Sequence, residues 1–383
     1  MLIEYIYQTT GIHIFFSRLF CTGMATVISF SLAMLFFRPY IKFLRKLQVS
    51  SEFESGAGVE TKKPEGPVMP AGILFFFIII ATSLITLRLN AYVISAFAIY
   101  GFFSIIGAAD DVAKVINKRR IATGKAKKQD YQYKADGISS GLRLTLYIII
   151  SLIVAIIAYK YIPNINKSIN IPFFSIEKWY PTFPVWLFIP LMTLTIAVMA
   201  NGVNFTDGFD TLATVPAICC LTFLGVISFV SSNSIWSSYL LIPHIPGLHE
   251  ILPLIGAVIG TLLAYLWYNS PPSTIIMGDS GSVGLGGLIG ILFIFSKSEF
   301  YLPIVGFIFL LEFVSVFMQI GYFKLTRKRI FRCAPIHHHF QYGMRASGRY
   351  AGEFEIKSKV MWRFHILSVI LLVVGLVLFL KVR

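Results

Sequence analysis

The sequence predicts an all-α polytopic membrane protein of about ten transmembrane helices, with its functional site at the cytoplasmic face. Three observations predict it. The chain is 56% hydrophobic and only 13% charged over 383 residues, whereas soluble domains carry about 25% charged residues. Its apolar residues form runs long enough to cross a bilayer, which needs roughly 20 residues. Its basic residues are divided unevenly between alternate loops.

The apolar runs lie near 16–37, 71–87, 91–108, 144–160, 184–200, 211–230, 251–268, 283–296, 301–323 and 359–380. The eighth is short and glycine-rich. No large soluble domain fits between them, so residues 1–383 read as one integral membrane domain. The loops 38–70, 109–143, 201–210, 269–282 and 324–358 carry 23 Lys and Arg, and the opposite loops with both termini carry 7. The positive-inside rule puts the first set in the cytoplasm and both termini outside. The net charge of +15 therefore reads as topology and not as nucleic-acid binding, although basic loops also attract anionic lipids and substrates.

The remaining features are consistent with this class. Cys21, Cys219, Cys220 and Cys333 show no metal-ligand spacing, and three of them lie in apolar runs, so neither disulfides nor zinc are indicated. The N-terminal segment has Glu4 and no basic region, which predicts a retained helix in place of a cleaved signal. Residues 161–183 alternate in part and carry aromatics, predicting an external hairpin or interfacial element, and 231–250 read as a polar loop. Neither a repeat nor a low-complexity tract is visible.

Polar stretches interrupt this apolar chain at one face. Asn201-Gly-Val-Asn204-Phe-Thr-Asp207-Gly-Phe-Asp210 places amides, carboxylates and glycines between two spans. Intramembrane polar groups cost several kcal/mol unless they face protein, water or ligand. The stretch is thus a surface loop or a buried site; if it is helical, Asn204, Asp207 and Asp210 lie near one face. Asp110-Asp111 ends the third span, where an acidic pair at a helix C-terminus opposes the dipole. Such a pair binds Mg²⁺ or acts as a base, or is simply a solvated terminus. Lys114 and Lys118 follow at helical spacing from Asp111.

Two further stretches follow later spans. Asn269-Ser-Pro-Pro ends one helix, and Gly278-Asp279-Ser-Gly-Ser282 offers N–H and hydroxyl groups for phosphate and a carboxylate for Mg²⁺. Arg329, Arg332 and His337-His338-His339 suit phosphate better than a metal, because adjacent histidines point in different directions. Gln319 and Glu312 lie at membrane depth, where they are expected to face the bundle interior. Together these groups suit Mg²⁺-assisted transfer of a phosphate-linked group at a membrane surface.

With these residues in view, the chain resembles the polyprenyl-phosphate N-acetylhexosamine-1-phosphate transferase superfamily, and within it the bacterial phospho-N-acetylmuramoyl-pentapeptide transferases. The likeness runs from about residue 40 to the C-terminus and rests on Asp110-Asp111, 204–210, Asn269 with 277–282, and Ala334-Pro-Ile-His-His-His-Phe340. The last is the most specific. The resemblance implies ten spans with external termini, a homodimer in the bacterial inner membrane, and an Mg²⁺-dependent reaction. In it UDP-MurNAc-pentapeptide and undecaprenyl phosphate give lipid I and UMP.

Residue by residue, the resemblance implies Asp279 and Asn204 as metal ligands, and Asp110 and Asp111 beside the lipid phosphate. It implies Asp207 and His337 as further catalytic groups, and Lys114, Gly208, Phe209, Asp210 and Asn269 as the uridine-side pocket. His338 and Lys63 are expected to contact substrate. The chain departs from the family at Glu65–Ala71, at Thr211 where glycine is usual, at Arg143 where lysine is usual, at Ile276, and in a basic insertion over 119–136. A related GlcNAc-1-phosphate transferase and a lipid-linked substrate transporter are the competing readings. A transporter predicts mid-span polar residues and repeat symmetry. Direct attack by the lipid phosphate and a two-step route through an aspartyl intermediate both fit the residues.

Overall fold

The computed structural model describes residues 2–47, 66–122, 137–163, 165–167, 170–172, 182–350 and 352–380. Lys63 and most of the 119–136 insertion lie outside them, as does the side chain of Lys118. Among the described residues the chain is helical, with only two isolated β-bridges, Val68 to Ile275 and Lys167 to Thr182. The second bridge is antiparallel and falls in the segment expected to form a hairpin.

The helices are α1 (Leu2–Thr10), α2 (Arg18–Lys46), α3 (Gly72–Thr86), α4 (Ala91–Ala122), α5 (Ser140–Tyr161), α6 (Val185–Thr206) and α7 (Thr214–Ser232). They continue with α8 (Ser234–Leu240), α9 (Leu252–Asn269), α10 (Asp279–Phe295), α11 (Leu302–Val305), α12 (Phe307–Thr326), α13 (Ile336–Ala346) and α14 (Glu353–Leu380). Eight helical segments are long and apolar enough to cross a membrane, and two shorter apolar helices, Gly72–Thr86 and Asp279–Phe295, fall on the second and eighth expected spans. The short helices α1, α8 and α13 are not among the expected spans, while α11 falls at the start of the ninth.

The glycine-rich eighth segment is the centre of the molecule. Every residue of α10 from Ser280 to Phe295 is buried. It packs between α4 and α6, and its glycines set how closely they approach. A Cβ on Gly287 would collide with the Phe103 ring, and one on Gly286 would collide with the Met199 carbonyl oxygen. Small residues let helix backbones meet in this way where no hydrophobic drive separates protein from lipid.

Both neighbours run antiparallel to α10. Tyr92 near the start of α4 meets Phe295 at the end of α10, ring centroids 5.2 Å apart, while Asp111 meets the α10 N-terminus. Ile196 of α6 packs on Gly290, and Asn204 reaches Ser282. The polar ends of α4 and α6 are thereby delivered to the α10 N-terminus, the positive end of its dipole.

Two boundaries differ from expectation with consequences for the site. Helix α4 continues to Ala122, so Asp110 and Asp111 lie within a helix and not at its C-terminus. The dipole argument for their cost does not apply; burial against other elements does. Helix α6 runs through Asn204 to Thr206 and is capped by Asp207. Asn204 is therefore helical, while Asp207 and Asp210 sit in the turn that follows, not on one helical face. Gln319 also differs: its side-chain oxygen accepts the N–H groups of Ile330 and Phe331, so it caps the loop after α12 instead of facing the interior. Glu312 is buried as expected.

Candidate active site

Neighbouring residues on a helix project about 100° apart and do not face one another. Asp110 and Asp111 therefore serve different partners, although both are fully buried. Asp110 turns toward α5. Its Oδ1 accepts the Ile138 N–H at 2.6 Å, and its Oδ2 lies 2.8 Å from Lys114 Nζ and 2.9 Å from an Arg143 guanidinium nitrogen. Asp111 turns toward α10, where Oδ1 accepts the Asp279 N–H at 3.1 Å and Oδ2 accepts the Ser280 N–H at 2.9 Å. It caps α10 from another helix, satisfying donors that have no partner within α10.

Asp279 is the node of the cluster. Its Oδ1 accepts from Asn204 Nδ2 at 2.9 Å, and its Oδ2 accepts from Lys114 Nζ at 2.9 Å and from Arg143. The same Asn204 amide reaches Ser282 Oγ at 3.0 Å. Gly278, just before Asp279, has φ +75°, and an added Cβ would lie 2.7 Å from Pro70 Cβ and 2.8 Å from Asp111 Oδ2. Only glycine fits that turn. The described part of the departing segment, 66–71, meets the same loop. Val68 and Ala71 donate to the Thr274 and Ile276 carbonyls, and Ile276 N–H donates back to Val68. Ile276 thus holds this loop through its backbone.

Asp207 completes the carboxylates. Burial pushes its pKa well above the usual carboxylate range, the charges of Asp279 and Asp111 add to the rise, and a hydrogen bond from the Gly278 N–H opposes it. Asp210 instead accepts the Ser273 N–H at 3.3 Å. Asn269 ties the same turn to the loop after α9, accepting the Thr211 N–H at 2.7 Å and donating to the Ile275 carbonyl at 2.9 Å.

The three histidines do diverge. They lie on α13, an amphipathic helix that runs of apolar residues do not reveal. His337 is buried, its Nδ1 lying 3.1 Å from Glu312 Oε2. Its ring lies over Gly208, where an added Cβ would collide with Nε2. His338 Nδ1 lies 2.7 Å from Gln341 Oε1; burial, reinforced by His337, pushes the His338 pKa down. His339 Nδ1 accepts the Arg332 N–H at 3.1 Å. Phe209 presents its ring to His337 and His338 edge-on, with centroids 4.7 and 5.4 Å away.

The fold thus brings Asp110, Asp111, Lys114, Asn204, Asp207 and Asp279 into one cluster, with Gly208, Phe209, Asp210, Asn269, His337 and His338 beside it. Arg143 and Glu312 hold central places that the sequence does not assign them. In the sequence Arg143 stands out only as a departure from lysine, and Glu312 only as a polar group at membrane depth.

The cluster can bind anions through Lys114 and Arg143, and a hard cation through its oxygens. Asp110 and Asp279 contact both basic groups, and Asp111 adds a further carboxylate beside Asp279, a set that suits a divalent ion. Asp279 and Asn204 are adjacent oxygen-bearing side chains. Among the described residues no three His, Cys, Asp or Glu side chains converge on one point. Mg²⁺ is commonly held by one or two carboxylates together with substrate phosphates, and Asp279 with Asn204 could supply the protein's share.

Known proteins share this sequence pattern. The profile of glycosyl transferase family 4 matches residues 92–297. A phospho-N-acetylmuramoyl-pentapeptide-transferase from a Nitratiruptor species is 35% identical over 100% of both chains. One from Campylobacter lari is 37% identical over 83% of this chain and 86% of its own, and one from Rickettsia bellii is 35% identical over 98% and 97%. Similarity at this level over the whole length, with the polar stretches gathered into one site, shows that the chain belongs to the phospho-N-acetylmuramoyl-pentapeptide transferase family.

Proposed function

We propose that the protein transfers phospho-MurNAc-pentapeptide from UDP-MurNAc-pentapeptide to undecaprenyl phosphate, releasing UMP and forming lipid I for peptidoglycan synthesis. The observation that carries this reading is the Asp279 node, where carboxylate, amide and two basic side chains meet in a family with this activity in its name. Purified protein with undecaprenyl phosphate should release UMP from UDP-MurNAc-pentapeptide and not from UDP-GlcNAc. Release from UDP-GlcNAc alone would assign the chain to the related GlcNAc-1-phosphate transferases.

Two anions must meet in this reaction, so their repulsion has to be screened. Lys114 and Arg143 supply fixed positive charge beside Asp279. Asp279 and Asn204 would hold Mg²⁺, which when bound neutralises diphosphate charge and stabilises the leaving UMP. Asp110 orients Lys114 and Arg143, and Asp111 fixes the backbone from which Asp279 projects. Both have every carboxylate oxygen engaged, a poor starting point for a base or nucleophile. The acceptor needs little help from a base, because a phosphate monoester has its second pKa near 6 and is mostly dianionic at neutral pH. Gly208, Phe209, Asp210 and Asn269 shape the uridine side, with His337 and His338 over it and Lys63 a further substrate contact.

The site faces the cytoplasm of the bacterial inner membrane, both termini lie outside, and the chain works as a homodimer. The loop tally of 23 against 7 supports the orientation, and the family resemblance supports the dimer. Cys333 tests the orientation, since it lies in the loop before α13 on the site's side and is partly exposed. A membrane-impermeant thiol reagent should label it only when the cytoplasmic face is open. Labelling of intact cells from outside would reverse the topology.

A further inference from the structure

Residue 211 is threonine where the resembling family has glycine, and its backbone still adopts a glycine conformation, φ +60°. A β-branched side chain rarely occupies this left-handed region, which glycine enters without steric cost. Such a residue persists only where its surroundings over-determine it. Here they do so from three sides. The Thr211 N–H donates to Asn269 Oδ1 at 2.7 Å. Its hydroxyl donates to Met361 Sδ at 2.9 Å. Its carbonyl oxygen lies 3.1 Å from His365 Nε2, and the hydroxyl oxygen lies 3.4 Å from the same nitrogen. A ring nitrogen facing a carbonyl carries the hydrogen, so His365 donates here through Nε2.

Met361 and His365 are four residues apart on α14 and so lie on one face. Lys357, four residues earlier, places its Nζ 5.4 Å from the centre of the Phe209 ring. One stripe of α14 therefore touches Phe209 and Thr211, on either side of Asp210. Val360 and Phe364 of the same helix join Phe209 and Leu212 in a small apolar cluster apart from the main core. His365 lies inside the last apolar span and takes no part in the chemistry above, yet it is a buried polar group aimed at the backbone of this turn.

We propose that His365 is a positioning residue. With Met361 it braces Thr211 in the left-handed conformation and so sets the Phe209–Asp210 side of the nucleotide pocket. The C-terminal helix then performs a task that a glycine at 211 would make unnecessary. This role rests on the reading of that turn as the uridine side of the site.

The test compares the parent with His365→Ala, Thr211→Gly and the double variant, by UMP release from UDP-MurNAc-pentapeptide and by amide hydrogen exchange over 208–212 without ligand. His365→Ala should raise KM about tenfold while kcat changes less than about threefold, the pattern of lost binding geometry. It should also speed exchange in the turn. In the Thr211→Gly background the same replacement should move KM by less than about twofold, because the two positions are coupled. His365→Gln, whose side-chain N–H also reaches for the carbonyl, should recover most of the KM and guards against a variant that fails to fold. An unchanged KM in His365→Ala overturns the proposal, as does an equal KM rise in the glycine background. Faster exchange with unaltered KM also overturns it, since the brace would then be structural only. A parent that releases no UMP would overturn the proposed function instead, and unchanged exchange in His365→Ala would still overturn the brace.

Discussion

Asp279→Ala is expected to reduce UMP release on the order of 10³-fold, about 4 kcal/mol of barrier, while leaving the protein folded. The side chain of Asp279 is where Lys114, Arg143 and Asn204 converge. Removing it takes away the proposed cation ligand and leaves two basic groups to share Asp110. The fold does not depend on that side chain. Asp111 holds the α10 N-terminus through the backbone N–H groups of residues 279 and 280, which alanine keeps. Thermal unfolding in detergent should therefore change little. Activity surviving within about tenfold, roughly 1.4 kcal/mol, would show that Asp279 is not a principal ligand.

Asp111→Asn is expected to damage both stability and activity. The carboxylate accepts two N–H groups with two oxygens at a fully buried position. An amide offers one oxygen and must turn an NH₂ toward a donor, leaving a buried N–H unsatisfied at a cost of about 1–3 kcal/mol. The α10 N-terminus should shift, carrying Asp279 with it, and a misplacement of about 1 Å in a catalytic group can cost 10²-fold. We expect a lowered unfolding temperature and a loss of UMP release of about that size. The loss should be nearly constant with pH. A general base is worth about 10²–10⁴-fold, but only while the acceptor phosphate holds a proton, below roughly pH 6. A variant that unfolds like the parent and regains full rate at high pH would make Asp111 a base instead of a cap.

Much of this is legible in the sequence, for definite reasons. Spans declare themselves by length and hydropathy, so apolar helices fall on all ten expected segments. The carboxylates stand out because ionisable residues are rare in such a chain. Less legible is anything fixed by contacts distant in sequence. Asp110 and Asp111 look like a pair in the sequence, but one helical step sends them to α5 and to α10. Asn204 and Asp207 read as parts of one motif, yet α6 ends between them. The eighth span is a weak candidate in the sequence because it is short and glycine-rich, yet its glycines serve close packing and it proves the most buried helix of all those described. The histidine helix α13 is invisible to a search for apolar runs, since it is amphipathic and its apolar residues are interleaved with polar ones. Thr211 is visible as a departure from glycine, but its left-handed φ and its partner His365, 154 residues away, belong to the fold alone.

The central claim is that buried, fully engaged carboxylates position the reactants, and that the lipid phosphate itself attacks. Exchange of labelled UMP into UDP-MurNAc-pentapeptide tests it most directly. Direct displacement requires both substrates before any bond breaks, so no label should enter UDP-MurNAc-pentapeptide when undecaprenyl phosphate is absent. Robust exchange without lipid would reveal a covalent intermediate on the enzyme and contradict the account.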